Sequence, residues 1–188
     1  MSFSVVTGLV LVIALSPVLR AAQSRGFSPS QNSVTEAVRI VFDTESKNLI
    51  SSAELMPANK YDYRPTPAQI TFGQLIVHVV QTNFAICGGI ADVAVPMEPA
   101  ELGNLKETGG KDALVPMLRR SFDFCGLALA KANDAMLSQE ATMFGRGMGM
   151  SHARAMITIA TDWTDHYSTA ASYLRLNGIL PPSAQPGK

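Results

Sequence analysis

Three side chains that could bind a metal ion lie on the apolar stripes of two predicted helices. Asp162 and His166 lie four residues apart in a long helical pattern, and residues at positions i and i+4 share one face of a helix. The same face carries apolar residues, so both polar side chains need a partner if they are buried. His78 lies on the apolar stripe of an earlier helical segment. Two imidazoles and a carboxylate that converge in a helical core predict a site for a divalent metal ion.

Each of these residues also has a simpler interpretation. His78 could be an ordinary core histidine held by a hydrogen bond, and Asp162 could orient His166 without touching a metal. Asp165 is one residue off the stripe and is a fallback carboxylate that we expect to face solvent. Glu45, on the inner stripe of the first helix, is a weak candidate for an acid–base or supporting role; the alternative is a boundary residue paired with a nearby cation.

The third histidine of the chain, His152, lies fourteen residues before His166. In a helix this spacing corresponds to ~21 Å along the axis. We therefore expect His152 to lie outside the metal site.

Helical periodicity predicts four long helices and an all-α four-helix bundle. Capping-box sequences begin the first helix at Ser33 to Glu36 and the second at Thr71 to Gln74. The fourth ends before Gly178 and two prolines. Segment 138–149, which contains three glycines, is expected to be a flexible connector or a lid. The first helix is predicted to run to about residue 55, the third from 113 to about 137 and the fourth from about 151 to 177. In the second, Gly88 and Gly89 weaken the helix, and Pro96 with Pro99 closes the region.

Composition favours one globular domain. The chain has 188 residues, 47% of them hydrophobic and 16% charged, with a formal net charge of zero. These values exclude a disordered main body. No cluster of Lys or Arg runs along one face, so binding of nucleic acid is not expected. We assign residues 27–188 to the bundle domain.

The apolar run from Val5 to Leu15 is too short for a membrane span, which needs ~20 residues. It fits the central region of a secretory signal, although no basic residue precedes it. Residues 1–26 are therefore predicted to be a signal peptide or leader of an exported, periplasmic protein without a stable membrane span. The rival interpretations are a wrongly chosen start codon and an unprocessed leader on a cytoplasmic protein.

Cys87 and Cys125 are the only cysteines, and neither belongs to a C-x-x-C motif. Their apolar, helical surroundings favour burial as small hydrophobic side chains. A disulfide between them is possible if the protein is exported.

Three segments of the chain resemble the DinB/YfiT-like superfamily of four-helix proteins. They are Tyr63 to Pro67, Phe72 to His78, and the closing region from Asp165 to Pro182. The resemblance implies a metal-dependent enzyme, a homodimer, and a site of three histidines. His78 and His166 match the first and last of these, whereas Asp162 takes the middle position. Two histidines and one carboxylate serve both catalytic zinc and non-haem iron, so the metal could be Zn, Ni, Fe or Mn.

Two functions are consistent with these residues and with the resemblance. The first is a metal-dependent hydrolase or thiol-dependent transferase acting on a small-molecule substrate, with the ion held in the bundle core by His78, Asp162 and His166. The second is a non-catalytic bundle that binds a small ligand or a protein partner and keeps a vestigial metal site. The replacement of a histidine by Asp162 favours the second.

Overall fold

Four long helices carry the fold and confirm the predicted four-helix bundle. The computed structural model describes residues 30–186 of the chain; the predicted leader at residues 1–26 lies outside them. The helices are α1 (Ser33–Leu55), α2 (Phe72–Ile90), the short α3 (Pro99–Gly103), α4 (Gly110–Lys131) and α5 (His152–Leu176), and the strands are β1 (Glu140–Met143) and β2 (Arg146–Ser151). Short 3-10 turns lie at Ala58–Lys60, Asp134–Met136 and Pro182–Ala184.

The long helices follow the cyclic order α1, α4, α2, α5 around the bundle. Helices α1 and α2 each pack against both α4 and α5, so α1 and α2 lie diagonally opposite each other. The long connection between them is therefore a crossover, as its length allowed. This order places α2 directly beside α5, the two helices that carry the predicted metal ligands.

The beginning of α2 agrees with the sequence. The Thr71 hydroxyl accepts the backbone N–H of Gln74 at 3.1 Å, and the Gln74 side chain accepts the N–H of Thr71 at 2.9 Å. Both halves of the predicted capping box are present.

The capping box predicted for α1 is wrong. The N-cap is Asn32, and its side chain makes no capping hydrogen bond. Instead, the Asp134 carboxylate, which follows α4, accepts the N–H groups of Val34 and Thr35 at 2.9 Å each. It also accepts the Thr35 hydroxyl at 2.6 Å. A residue about one hundred positions away in the chain thus caps this helix, which no local motif predicts.

The segment predicted to be a loop contains a β-hairpin. Strands β1 and β2 pair antiparallel, and the turn residues Phe144 and Gly145 have φ of 51° and 71°. Two consecutive positive φ angles are typical of a type I′ hairpin turn. Asp92, just after α2, accepts the Thr142 N–H at 2.9 Å and its hydroxyl at 2.6 Å. These hydrogen bonds hold strand β1 against the end of α2. Helix α4 ends at Lys131, so the prediction that it continues to about residue 137 is wrong.

A buried polar chain fixes α2, α4 and α5 in register. The Trp163 indole donates to Asn83 Oδ1 at 2.6 Å, and the Asn83 amide donates to the Ser121 hydroxyl at 2.9 Å. Ser121 in turn donates to the Leu118 carbonyl at 2.8 Å. The side chains of Trp163, Asn83 and Ser121 are fully buried. A buried network in which every polar group has a partner favours one arrangement of the helices.

Cys87 and Cys125 form a disulfide with a Cα–Cα distance of 5.1 Å. Both side chains are fully buried, so the predicted burial is right, whereas the favoured interpretation as free thiols is wrong. The bridge links α2 to α4. Within the part of the chain that the structure describes, no helix combines the length and apolar character that a membrane span needs.

The Asp134 cap predicts a pH-dependent stability. Partial desolvation opposes ionisation, but hydrogen bonds from Thr35 and Val34 and the charge of Arg39 outweigh it and lower the pKa of this carboxyl. A lowered folded-state pKa stabilises the fold above the unfolded pKa of about 3.9, and this contribution is lost as pH falls through the folded pKa. We expect Asp134→Asn to lower the free energy of unfolding at neutral pH and to match the wild type in acid.

Urea unfolding across pH checks this prediction. Asp123→Asn is the control, because Asp123 is an exposed aspartate of α4 and should show no such dependence. A constant difference between wild type and Asp134→Asn from neutral to acidic pH would contradict the role assigned to the cap.

The disulfide predicts a loss of stability on its removal. The bridged residues are 38 positions apart. If the bridge acts only by lowering the entropy of the unfolded chain, a loop of this size raises the free energy of the unfolded state by ~4 kcal/mol. We expect Cys87→Ala/Cys125→Ala to lower the free energy of unfolding by ~2–4 kcal/mol. Thiol titration of the denatured, unreduced wild type should find no free thiol; two free thiols per chain would refute the bridge.

Candidate metal centre

Helices α2 and α5 bring three potential ligands together. One ligand atom each from His78, Asp162 and His166 lies within 4.8 Å of the other two. Asp162 and His166 are one turn apart on α5, and His78 faces them from α2. The arrangement depends on the packing of two helices whose ligands are far apart in the sequence.

His78 lies at the rim of the bundle. Its Nε2 is 3.7 Å from Asp162 Oδ1, yet 49% of its side chain is exposed. The expectation that all three groups meet in the bundle core is therefore wrong for His78. The helical stripe that carries it reaches the edge of the α2–α5 interface, where one side of the imidazole faces solvent. This position makes the centre accessible from outside.

His166 is oriented by its own helix. Its Nδ1 lies 2.7 Å from the backbone carbonyl of Asp162. A carbonyl can only accept, so Nδ1 carries the proton in this contact, and Nε2 is the nitrogen left for a metal. Metal-binding histidines are commonly held in this way through their second nitrogen. The His166 ring stacks on that of His78, with centroids 4.6 Å apart and planes 25° apart.

Asp162 is the least satisfied member of the group. Its Oδ2 atom is buried without a hydrogen-bond partner among the described residues, although His166 Nδ1 lies 3.5 Å away. Burial raises the pKa of this carboxyl and the nearby Asp165 adds to the rise, while His166 and His78 oppose it. A buried carboxylate oxygen without a donor is unfavourable unless a cation or proton occupies the space beside it. The residues present therefore fit a metal ion.

The structure also places the remaining candidates. Glu45 is half-buried on α1, accepts a hydrogen bond from Asn48 at 3.3 Å, and is not part of the three-residue group. Asp165 is exposed. His152 is buried at the start of α5, where its Nδ1 lies 2.9 Å from the Ile90 carbonyl, and so links the end of α2 to the start of α5.

Thr82 is a neighbour of the site that the sequence pattern did not single out. Its hydroxyl lies 3.3 Å from His78 Nε2. The two residues are four positions apart on α2, so the spacing that paired Asp162 with His166 also pairs His78 with Thr82. This hydroxyl can donate to or accept from the imidazole and so help to orient it.

Comparison with solved structures confirms the DinB-like fold. A DinB-like protein from Bacillus cereus has a TM-score of 0.62 at 16% identity, covering 78% of this chain and 95% of its own. The DinB-like protein YjoA from Bacillus subtilis has 0.59 at 17%, covering 82% and 99%. An uncharacterised protein from Escherichia coli has 0.56 at 14%, covering 82% and 99%. The chain is similar to these proteins in fold.

Sequence comparison gives no further match. No protein-family model matches the chain, and no curated protein matches it.

The unsatisfied Asp162 oxygen predicts opposite effects on stability and on metal binding. In metal-free protein, Asp162→Asn removes a charge that is costly to bury, so its free energy of unfolding should equal or exceed that of the wild type. Its affinity for Zn²⁺ should fall at least ~100-fold, because a charged ligand is lost. The matched control is Asp165→Asn, which changes an exposed carboxylate three positions away and should keep wild-type affinity.

Chemical unfolding of metal-free protein and competitive Zn²⁺ titration measure the two effects. A marked loss of metal-free stability together with unchanged affinity would show that Asp162 serves the fold and not a metal.

Proposed function

We propose that this DinB-like bundle is a metal-dependent enzyme whose divalent ion is held by His78, Asp162 and His166. The observation that supports it is the convergence of three ligand atoms within 4.8 Å around a buried carboxylate oxygen that lacks a partner. No group among the described residues donates a hydrogen bond to Asp162 Oδ2. A divalent cation would satisfy it and the two imidazoles together.

The three residues have different roles in this proposal. Asp162 supplies negative charge from a largely buried position, with 17% of its side chain exposed. His166 is held by the Asp162 carbonyl and presents Nε2 as a ligand. His78 is the outer ligand, and its exposed side leaves an approach for substrate. A bound ion would supply Lewis-acid chemistry: it would lower the pKa of a bound water toward ~7 and would hold a coordinated thiol as the thiolate.

Three protein ligands are the usual number in catalytic zinc sites, where a further position stays open for water or substrate. We propose hydrolysis or thiol-dependent transfer on a small molecule as the reaction classes. Two imidazoles and one carboxylate suit Zn and Fe, and imidazole also accommodates Ni; Mn is a further candidate because the carboxylate suits it.

We also propose that the protein works in an oxidising compartment after export. The buried Cys87–Cys125 bridge supports this proposal, because stable disulfides are rare in the reducing cytosol. The homodimer implied by the family resemblance stays a prediction.

Metal analysis of histidine variants tests the proposal. We expect protein purified without added metal to carry nearly one equivalent of a divalent transition metal by elemental analysis. His78→Ala and His166→Ala should each lose it, because two ligands hold a divalent ion far more weakly than three. His152→Gln changes the only other histidine of the chain and should keep the metal.

Wild-type protein without metal, whose thermal stability does not change when Zn²⁺, Ni²⁺, Mn²⁺ or Fe²⁺ is added, would contradict the enzyme and support the non-catalytic bundle. Asp162→His refines the test, because it creates three imidazoles and should keep or tighten binding of Zn²⁺ and Ni²⁺.

A further inference from the structure

A cleft of about 730 Å³ lies beside α2, and His78 forms part of its wall. The same side chain therefore faces both the metal-binding group and this cavity. Its volume lies in the range of pockets that enclose small organic ligands. The apolar part of its wall consists of Val77 on α2, Ile70 just before α2, and Leu105 in the loop after α3.

Three polar side chains of the cleft already make hydrogen bonds within the protein. Glu107 accepts the Thr71 hydroxyl at 2.5 Å, beside the N-terminus of α2, where the helix dipole favours negative charge. Gln81 donates to the Leu102 carbonyl at 2.9 Å. Gln74 uses its carbonyl in the capping box, which leaves its NH₂ group as a donor. These three side chains mainly hold the walls in place.

Lys106 is different. It is the only Lys or Arg that lines the cleft, and within residues 30–186 it takes part in none of the ion pairs. Its side chain is exposed. An ammonium group in a cleft of mixed polar and apolar lining, with the Gln74 amide as a second donor and the neighbouring Glu107 carboxylate held by the Thr71 hydroxyl, is suited to bind an anion such as a carboxylate.

We propose that this cleft is the substrate pocket and that the substrate is a small amphipathic carboxylate. Lys106 binds the carboxylate, the walls at Ile70, Val77 and Leu105 enclose the apolar body, and the opposite end passes His78 to reach the metal-binding group. This inference rests on the proposed function and adds the substrate class to it. Lys106 is the specificity-determining residue.

The first experiment tests the cleft without a metal. Chelator-treated protein is titrated with 4-phenylbutanoate and with the neutral 4-phenylbutanamide, and binding is followed by amide chemical shifts in NMR spectra. We expect the carboxylate to bind about two- to fivefold more tightly than the amide, with a preference that weakens as salt is added. Lys106→Met should abolish the preference, and Lys106→Arg should keep part of it.

Lys131→Met is the matched control, because Lys131 is an exposed lysine at the end of α4 away from the cleft lining. It should keep the wild-type preference. Equal binding of the two probes, a preference that survives in Lys106→Met, or no binding of either probe would each overturn the inference.

The second experiment tests whether the cleft leads to the metal. Cobalt-loaded protein is titrated with ω-mercapto carboxylic acids of increasing chain length and with the corresponding mercapto alcohols, and the thiolate-to-cobalt absorption band is measured. We expect one chain length at which the acid produces the band at several-fold lower concentration than the alcohol. Lys106→Met should remove this advantage and leave the band with the alcohol unchanged.

The two experiments separate failure of the substrate class from failure of the metal site. Cobalt that does not bind, with the carboxylate preference intact in metal-free protein, would refute the proposed function and retain a carboxylate-binding cleft. Cobalt that binds, with acid and alcohol equally effective at every length, would retain the metal site and overturn the inference. His166→Ala should lose the band and keep the preference, since His166 does not line the cleft.

Discussion

A carboxylate that loses most of its hydration without gaining enough hydrogen bonds governs the chemistry of this protein. Asp162 lies on the face of α5 that packs against α2, where burial raises the pKa of its carboxyl and leaves one oxygen without a donor. Two imidazoles lie 3.5–3.7 Å from its oxygens, and one of them already donates to a backbone carbonyl. This arrangement is unfavourable for the isolated fold and favourable for binding a cation, as is typical of functional sites.

The distances between the three candidate ligands depend on the register of α2 against α5. A buried hydrogen bond from Trp163 to Asn83 joins the same two helices, and Trp163 is the residue directly after Asp162. At the start of α5, His152 contacts the carbonyl of Ile90, the last residue of α2. A disulfide ties α2 to α4. Rotation or sliding of either helix would break these contacts, so His78 stays opposite Asp162 and His166 before any ligand arrives. Preorganisation of this kind keeps a metal site selective.

Sequence periodicity predicted much of this arrangement. The bounds of α1, α2 and α5 follow from apolar spacing, from the capping box of α2 and from the Gly178 terminus, because these signals are local. The cap of α1 by Asp134 and the anchoring of the hairpin by Asp92 depend on residues far apart in the chain, so no local pattern contains them. The disulfide depends on the approach of two helices, which spacing along one chain does not give.

The candidate site was predictable to a similar degree. The pairing of Asp162 with His166 follows from one helical turn, and the choice of His78 needed the family resemblance as well as its stripe. The exposure of His78 was not predictable, because a stripe gives the direction of a side chain and not where the interface ends. Lys106 carries no sequence signal of its own, since its role depends on a cleft that its own loop forms with the distant helix α2.

The location of a bound ion shows whether the three residues act together. Crystals of zinc-loaded protein, measured at the zinc absorption edge, should show one anomalous peak per chain about 2.0–2.2 Å from a nitrogen of His78, a nitrogen of His166 and an oxygen of Asp162. A peak bound elsewhere, or one in contact with only a single member of this group, would show that the three residues do not form one metal site.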